Sequence, residues 1–175
     1  AYFKTFNIVS SISLVYLIIF FYLTPFIFLD IKNNIFKLNF INLILTILFS
    51  IIVLIYFNYE WSTGGGFYYS LSKFLFGNNS LVYIFFPIAF YSCNQILELN
   101  KIRNLILFLL LIIIEIDGHF SMESYDPLLY VLIFTLFDLK ITKTFFDNLN
   151  SKIYFIFFFQ IFLLVAKFFQ LYVIN

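Results

Sequence analysis

Long apolar runs alternate with short polar breaks along this chain, and the runs set its organisation. The first extends from about Ile8 to Leu29, with Pro25 near its end, and Asp30, Lys32 and Asn33-Asn34 make a polar turn after it. The second runs from about Phe36 to Phe57, with Asn39 and Asn42 near its start. A third covers about Leu81 to Leu97 and contains Pro87, a helix-kinking residue. The fourth, Ile102 to Ile116, lies between Lys101 and Arg103 at one end and Glu115 and Asp117 at the other. Pro127 suits the first turn of a fifth helix capped by Asp126 and running to about Leu139 or beyond. Ser151 suits the cap of a sixth, about Lys152 to Val173. Between the second and third runs, EWSTGGGFYYSLSKFLFGNNS carries two glycine-rich turns around a cluster of aromatics. That composition fits a short segment lying along a membrane surface. The expected fold is therefore an all-α integral membrane protein, one polytopic domain over residues 1–175. It has about six transmembrane helices and an interfacial segment between helices two and three.

Composition strengthens this picture. The chain has 175 residues, 63% apolar and 11% charged, with a mean hydropathy of +1.03. So few charges cannot clothe a soluble domain of this length. A net charge of +1 and no basic stripe give no footprint for nucleic acid. The single cysteine, Cys93, rules out an internal disulfide, and with one histidine, His119, the chain offers no haem or zinc ligand set. The apolar residues are skewed toward 29 Phe and 13 Tyr, with five Gly, where membrane packing favours small residues. Abundant Phe, Ile, Asn, Lys and Tyr is what very AT-rich coding yields, and it points to a protist mitochondrial gene. The N-terminal AYFKTFNIVSSIS is neither Arg-rich nor followed by a small-residue cleavage pattern, which fits synthesis inside the organelle.

Alternating the loops between two sides gathers Lys32, Lys37, Lys101, Arg103, Lys140, Lys143 and Lys152 on one, leaving Lys4 and Lys73 on the other. Seven against two is a positive-inside signal. It predicts a multi-pass protein of the mitochondrial inner membrane with its N-terminus on the intermembrane-space side.

Polar groups within apolar runs are costly and carry the candidate chemistry. Asp138 has two readings: a proton or ion relay, or an interfacial acid neutralised by Lys140 or Lys143. Gln160 and Lys167, seven residues apart, share a face of the sixth helix. Lys167 either snorkels to the surface or joins the relay, and Lys152 at the start of the same helix completes the set of proton-path candidates. Glu115, Asp117, His119, Glu123 and Asp126 make one acidic loop, whose plain reading is solvation. Gly64-Gly65-Gly66 lacks the Lys-Ser/Thr that a phosphate loop needs. Cys93 reads as a small core residue. No nucleophile–base pair or cofactor motif is present, so no catalytic residue, metal ligand or cofactor site is assigned.

From Asn104 the sequence NLILFLLLIIIEIDGHFSMESYDPLLYVLIFTLFDLK, followed by SKIYFIFFFQIFLLVAKFFQLY, resembles the N-terminal half of subunit 2 of NADH:ubiquinone oxidoreductase, respiratory complex I. The shared pattern is an apolar helix, a Ser-containing turn, an Asp-led helix bearing an acid, and a next helix opening on Lys152-Ile153-Tyr154-Phe155. GGGFYYSLSKF resembles the surface segment before the family's third helix. Asp138 stands where the family has Glu, and the lysine-bearing broken helices of its second half do not follow. The resemblance thus implies a split or truncated, mitochondrially encoded form completed by another chain. It implies a non-catalytic subunit that contributes to or scaffolds a proton path, with flavin and iron–sulfur clusters in partner subunits and lipids such as cardiolipin bound. A structural, lipid-binding subunit of another inner-membrane assembly is the alternative: ATP synthase, cytochrome oxidase or a supercomplex.

Overall fold

A computed structural model describes residues 7–30, 39–59, 65–114, 128–139, 153–154, 157–162 and 164–165. All regular structure among them is α-helical: α1 (Ile8–Asp30), α2 (Phe40–Tyr56), α3 (Gly66–Phe76), α4 (Ser80–Ile96), α5 (Ile102–Ile114) and α6 (Leu128–Thr135), with further helical turns at 153–154, 157–162 and 164–165.

The centre is α1. Every residue from Leu14 to Leu23 is buried, as is Phe26. A helix apolar on all sides is comfortable only when wrapped on all sides, and α1 touches α2, α3, α4 and α5. Its largest contact is with α4. There Val82, Phe86, Ala89, Cys93 and Ile96 are buried at alternating four- and three-residue steps, a single stripe of one helix face. Ala89 and Cys93 are fully buried, and their small side chains let the two backbones approach. Tyr16 fills the remaining space, its ring 4.8 Å from both Phe90 and Phe108.

Local signals set the helix boundaries. Asn39 caps α2, its side-chain oxygen accepting from the Ile41 and Asn42 amides. Two glycines bracket α3. Gly65 (φ +79°) precedes it, where a Cβ would collide with the Tyr69 ring, and Gly77 (φ +66°) ends it in the left-handed conformation common after helices. Ser72 then staples α3 to α4, donating to the Asn78 carbonyl at 2.9 Å and accepting from the Leu81 amide at 3.0 Å. The stretch GFYYSLSKFLF is thus an 11-residue helix, with Tyr68, Tyr69 and Ser72 turned inward and Phe74, Leu75 and Phe76 turned out.

Two expectations change. Among the described residues, one helix, Ile8–Ile27, is long and apolar enough to cross a membrane; α2, α4 and α5 are apolar but shorter. The fifth run also stops early. The α6 helix ends at Thr135, and Phe137–Leu139 are not helical. The Phe137 amide reaches back to the Leu132 carbonyl at 3.0 Å, closing the last turn. Asp138 is therefore on the connection after the helix rather than within a span.

Burial on α2 is inverted relative to a water-soluble helix. Asn42, Thr46 and Val53 are its buried residues, while Ile44, Leu45, Ile47, Leu48, Ile51, Ile52, Leu54 and Ile55 are exposed. The same inversion marks α5, where Asn104 is fully buried and Ile102, Ile106, Leu109, Leu110 and Ile113 face out.

Candidate functional site

Polar groups gather where the α4–α5 turn meets the end of α6. The turn is built from residue 98 outward. Glu98 has φ +46°, the left-handed region that glycine usually occupies after a helix. Its amide donates to the Gln95 carbonyl, and the Leu99 amide to the Asn94 carbonyl, both at 3.2 Å. This pair of bonds closes a Schellman turn. The reversal brings Lys101 back toward Glu98, so that its Nζ lies 3.0 Å from Glu98 Oε2.

The same ammonium reaches Asp138, 3.0 Å from Oδ2 and 2.8 Å from the backbone carbonyl. Asn104, on the first turn of α5, completes the junction. Its Nδ2 donates to the Leu97 carbonyl at 2.8 Å and to the Asp138 carbonyl at 3.3 Å, and its Oδ1 accepts from the Asp138 amide at 3.1 Å. One lysine and one buried asparagine thus hold both backbone groups and the carboxylate of Asp138.

Two carboxylates share one ammonium here. The Asp138 hydrogen bond, then the Glu98 one, hold the Lys101 proton more firmly than on an ordinary lysine. The cluster is open to its surroundings: Lys101 is 36% exposed and Asp138 46%, with Glu98 the most sheltered at 15%. Such a site fixes three helix ends and offsets one of the two carboxylate charges at their level. It contains no nucleophile poised on a base, and among the described residues no three His, Cys, Asp or Glu side chains could share a metal ion.

Asp138 is the one sequence-predicted proton-path residue that this junction uses. Among the described residues its counter-ion is Lys101, 37 residues away in sequence. Gln160 is half-buried in the helical stretch 157–162, and among the described residues no hydrogen bond joins it to Asp138. Lys152 and Lys167 lie outside the described residues, as do Lys140, Lys143 and the acidic loop around His119. Cys93 is fully buried against α1, its Sγ 3.8 Å from the Tyr16 carbonyl.

A second polar network runs through the bundle. Tyr16 donates to Asn94 Oδ1 at 3.1 Å, and Asn94 Nδ2 donates to Asn42 Oδ1 at 3.1 Å. Asn42 Nδ2 then donates to the Tyr91 carbonyl at 3.2 Å, and Gln95 Nε2 to the Tyr91 hydroxyl at 2.7 Å. Sequence reasoning singled out Asn42 alone of these. The available signal was the spacing of Tyr91, Asn94 and Gln95, which places all three on one side of α4.

Comparison with known proteins adds no assignment: no family model, curated protein or solved structure matches this chain.

Proposed function

We propose that this chain is an integral membrane subunit of mitochondrial respiratory complex I, resembling the N-terminal half of its subunit 2. It packs helices of the membrane arm rather than performing catalysis. The observation that supports the membrane part of the reading is the inverted burial of α2, while the assignment to complex I rests on the sequence resemblance. A helix that hides Asn42 and Thr46 and offers aliphatic side chains outward is suited to a solvent of hydrocarbon. In water such a face would be an aggregation surface. At about 25 Å for 17 residues, α2 nearly matches a hydrocarbon core of about 30 Å.

In this reading about six helices cross the inner membrane, with the N-terminus in the intermembrane space. Flavin, iron–sulfur clusters and redox chemistry belong to partner subunits. Asp138 scaffolds the proton path by joining helix ends, since Lys101 and Asn104 engage it beyond the end of α6. The half-exposed position of that ion cluster also suits the second reading, a structural, lipid-binding subunit of ATP synthase, cytochrome oxidase or a supercomplex.

Native electrophoresis of mild-detergent extracts separates the two. Peptides of this chain in the band with NADH dehydrogenase activity are the expected result. Their absence from that band rejects complex I, and their presence in the ATP synthase or oxidase band selects the second reading.

A further inference from the structure

Beside the ion cluster lies an apolar groove of about 350 Å³ lined by Ile102, Arg103, Ile106, Leu107 and Leu136. Four of its five lining residues are aliphatic. Downstream of it, Leu109, Leu110 and Ile113 continue the exposed face of α5 that begins at Ile102 and Ile106. From Ile102 to Ile113 this stripe is about 16 Å long, a length suited to an extended hydrocarbon chain. Arg103 stands at the end where the helix begins and the polar junction lies.

The two cations of this turn differ in occupation. Glu98 and Asp138 claim Lys101. The exposed Arg103 has no ion pair among the described residues, and its planar guanidinium is shaped to take two oxygens of a phosphate. An exposed guanidinium with no ion pair among the described residues, at the polar end of an aliphatic channel, complements a molecule with an anionic head and an apolar tail. A partner helix could cover the aliphatic residues, but it would leave the guanidinium unmatched unless it also brought an acid.

We propose that this groove is a binding site for an anionic phospholipid of the surrounding bilayer. The phosphate pairs with Arg103 and one acyl chain lies along Ile106, Leu107 and Leu136. The proposal rests on the membrane reading above and adds a defined ligand class to it. Lys101, within 3.0 Å of both Glu98 and Asp138, offsets one of their two charges, so attraction of the headgroup falls to Arg103 alone.

The test uses the full chain in phosphatidylcholine nanodiscs doped with phosphatidylglycerol, with retained lipid counted by native mass spectrometry. The wild type is expected to retain phosphatidylglycerol preferentially. Arg103→Gln should lower that preference about fivefold, the effect of one basic side chain at a membrane surface. Arg103→Lys should keep most of it, and Ile106→Trp, which fills the groove, should abolish the preference for phosphatidylglycerol. Equal retention by wild type and Arg103→Gln overturns the site. So does a photo-reactive group at position 106 that labels protein in the native assembly instead of lipid. A chain that inserts normally but shows no preference defeats the lipid site alone. A chain that stays out of bilayers altogether defeats the membrane reading with it.

Discussion

Glu98 adopts a backbone conformation that costs an L-residue roughly 1–2 kcal/mol. Glycine would be cheaper, so the side chain must matter, and its bond to Lys101 says how. Replacing Lys101 by Met removes the reason for a carboxylate at 98. In that background Glu98→Gly is expected to stabilise the protein by about 1 kcal/mol, the relief of the left-handed backbone. In the wild type the same change should gain less, because the ion pair goes with it. Equilibrium unfolding of the four variants measures both. The junction also fixes a pH dependence. Folding raises the Lys101 pKa, so the folded state binds this proton more tightly than the unfolded chain. Its contribution is complete below the ordinary lysine range and fades as pH climbs above it. The stability gap between wild type and Lys101→Met should hold through neutral pH and narrow in alkali. A gap that stays unchanged in alkali would show that the Lys101 proton does not control it. The identity of Asp138 as a buttressed acid was legible in the sequence. Its pairing with Lys101 was not, because that contact depends on where the end of α6 is set down.

At the scale of elements, α1 and α2 are nearly indistinguishable as strings of apolar residues, yet one is wrapped and the other is largely bare. A helix apolar all round carries no directional information; only its polar residues say which way it faces. Asn42 and Thr46 did so for α2, and only once apolar surroundings are granted do they point inward. Two changes on this helix should part company. Asn42→Leu removes the bonds to Asn94 and Tyr91 and should cost about 1 kcal/mol, at roughly 0.6 kcal/mol for each hydrogen bond between membrane helices. Unfolding in denaturing detergent reads that loss, with insertion unaffected. Leu48→Lys, on the bare face, should leave the Asn42 network intact but disfavour insertion by about 3 kcal/mol if that position is near the bilayer centre. An in vitro insertion assay gives the answer; full insertion of Leu48→Lys would remove α2 from contact with lipid.

For the whole molecule, the sequence announced the all-helical character of the described residues and the starts of α1, α4 and α5, but it began α2 at about Phe36, whereas Asn39 caps the helix and Phe40 starts it. It overran the fifth helix, because apolar composition continues past Thr135, where the backbone turns. One feature of the assembled bundle has mechanical weight. The Ser10 hydroxyl both accepts from the Asn58 amide at 2.9 Å and donates to the carbonyl of the same residue at 3.0 Å, while Asn7 Nδ2 holds the Tyr56 carbonyl at 2.7 Å. Side chains at the start of α1 thereby grip the main chain leaving α2. A grip of this kind ties the start of α1 to the end of α2, so sliding one helix along the other would have to break all three bonds.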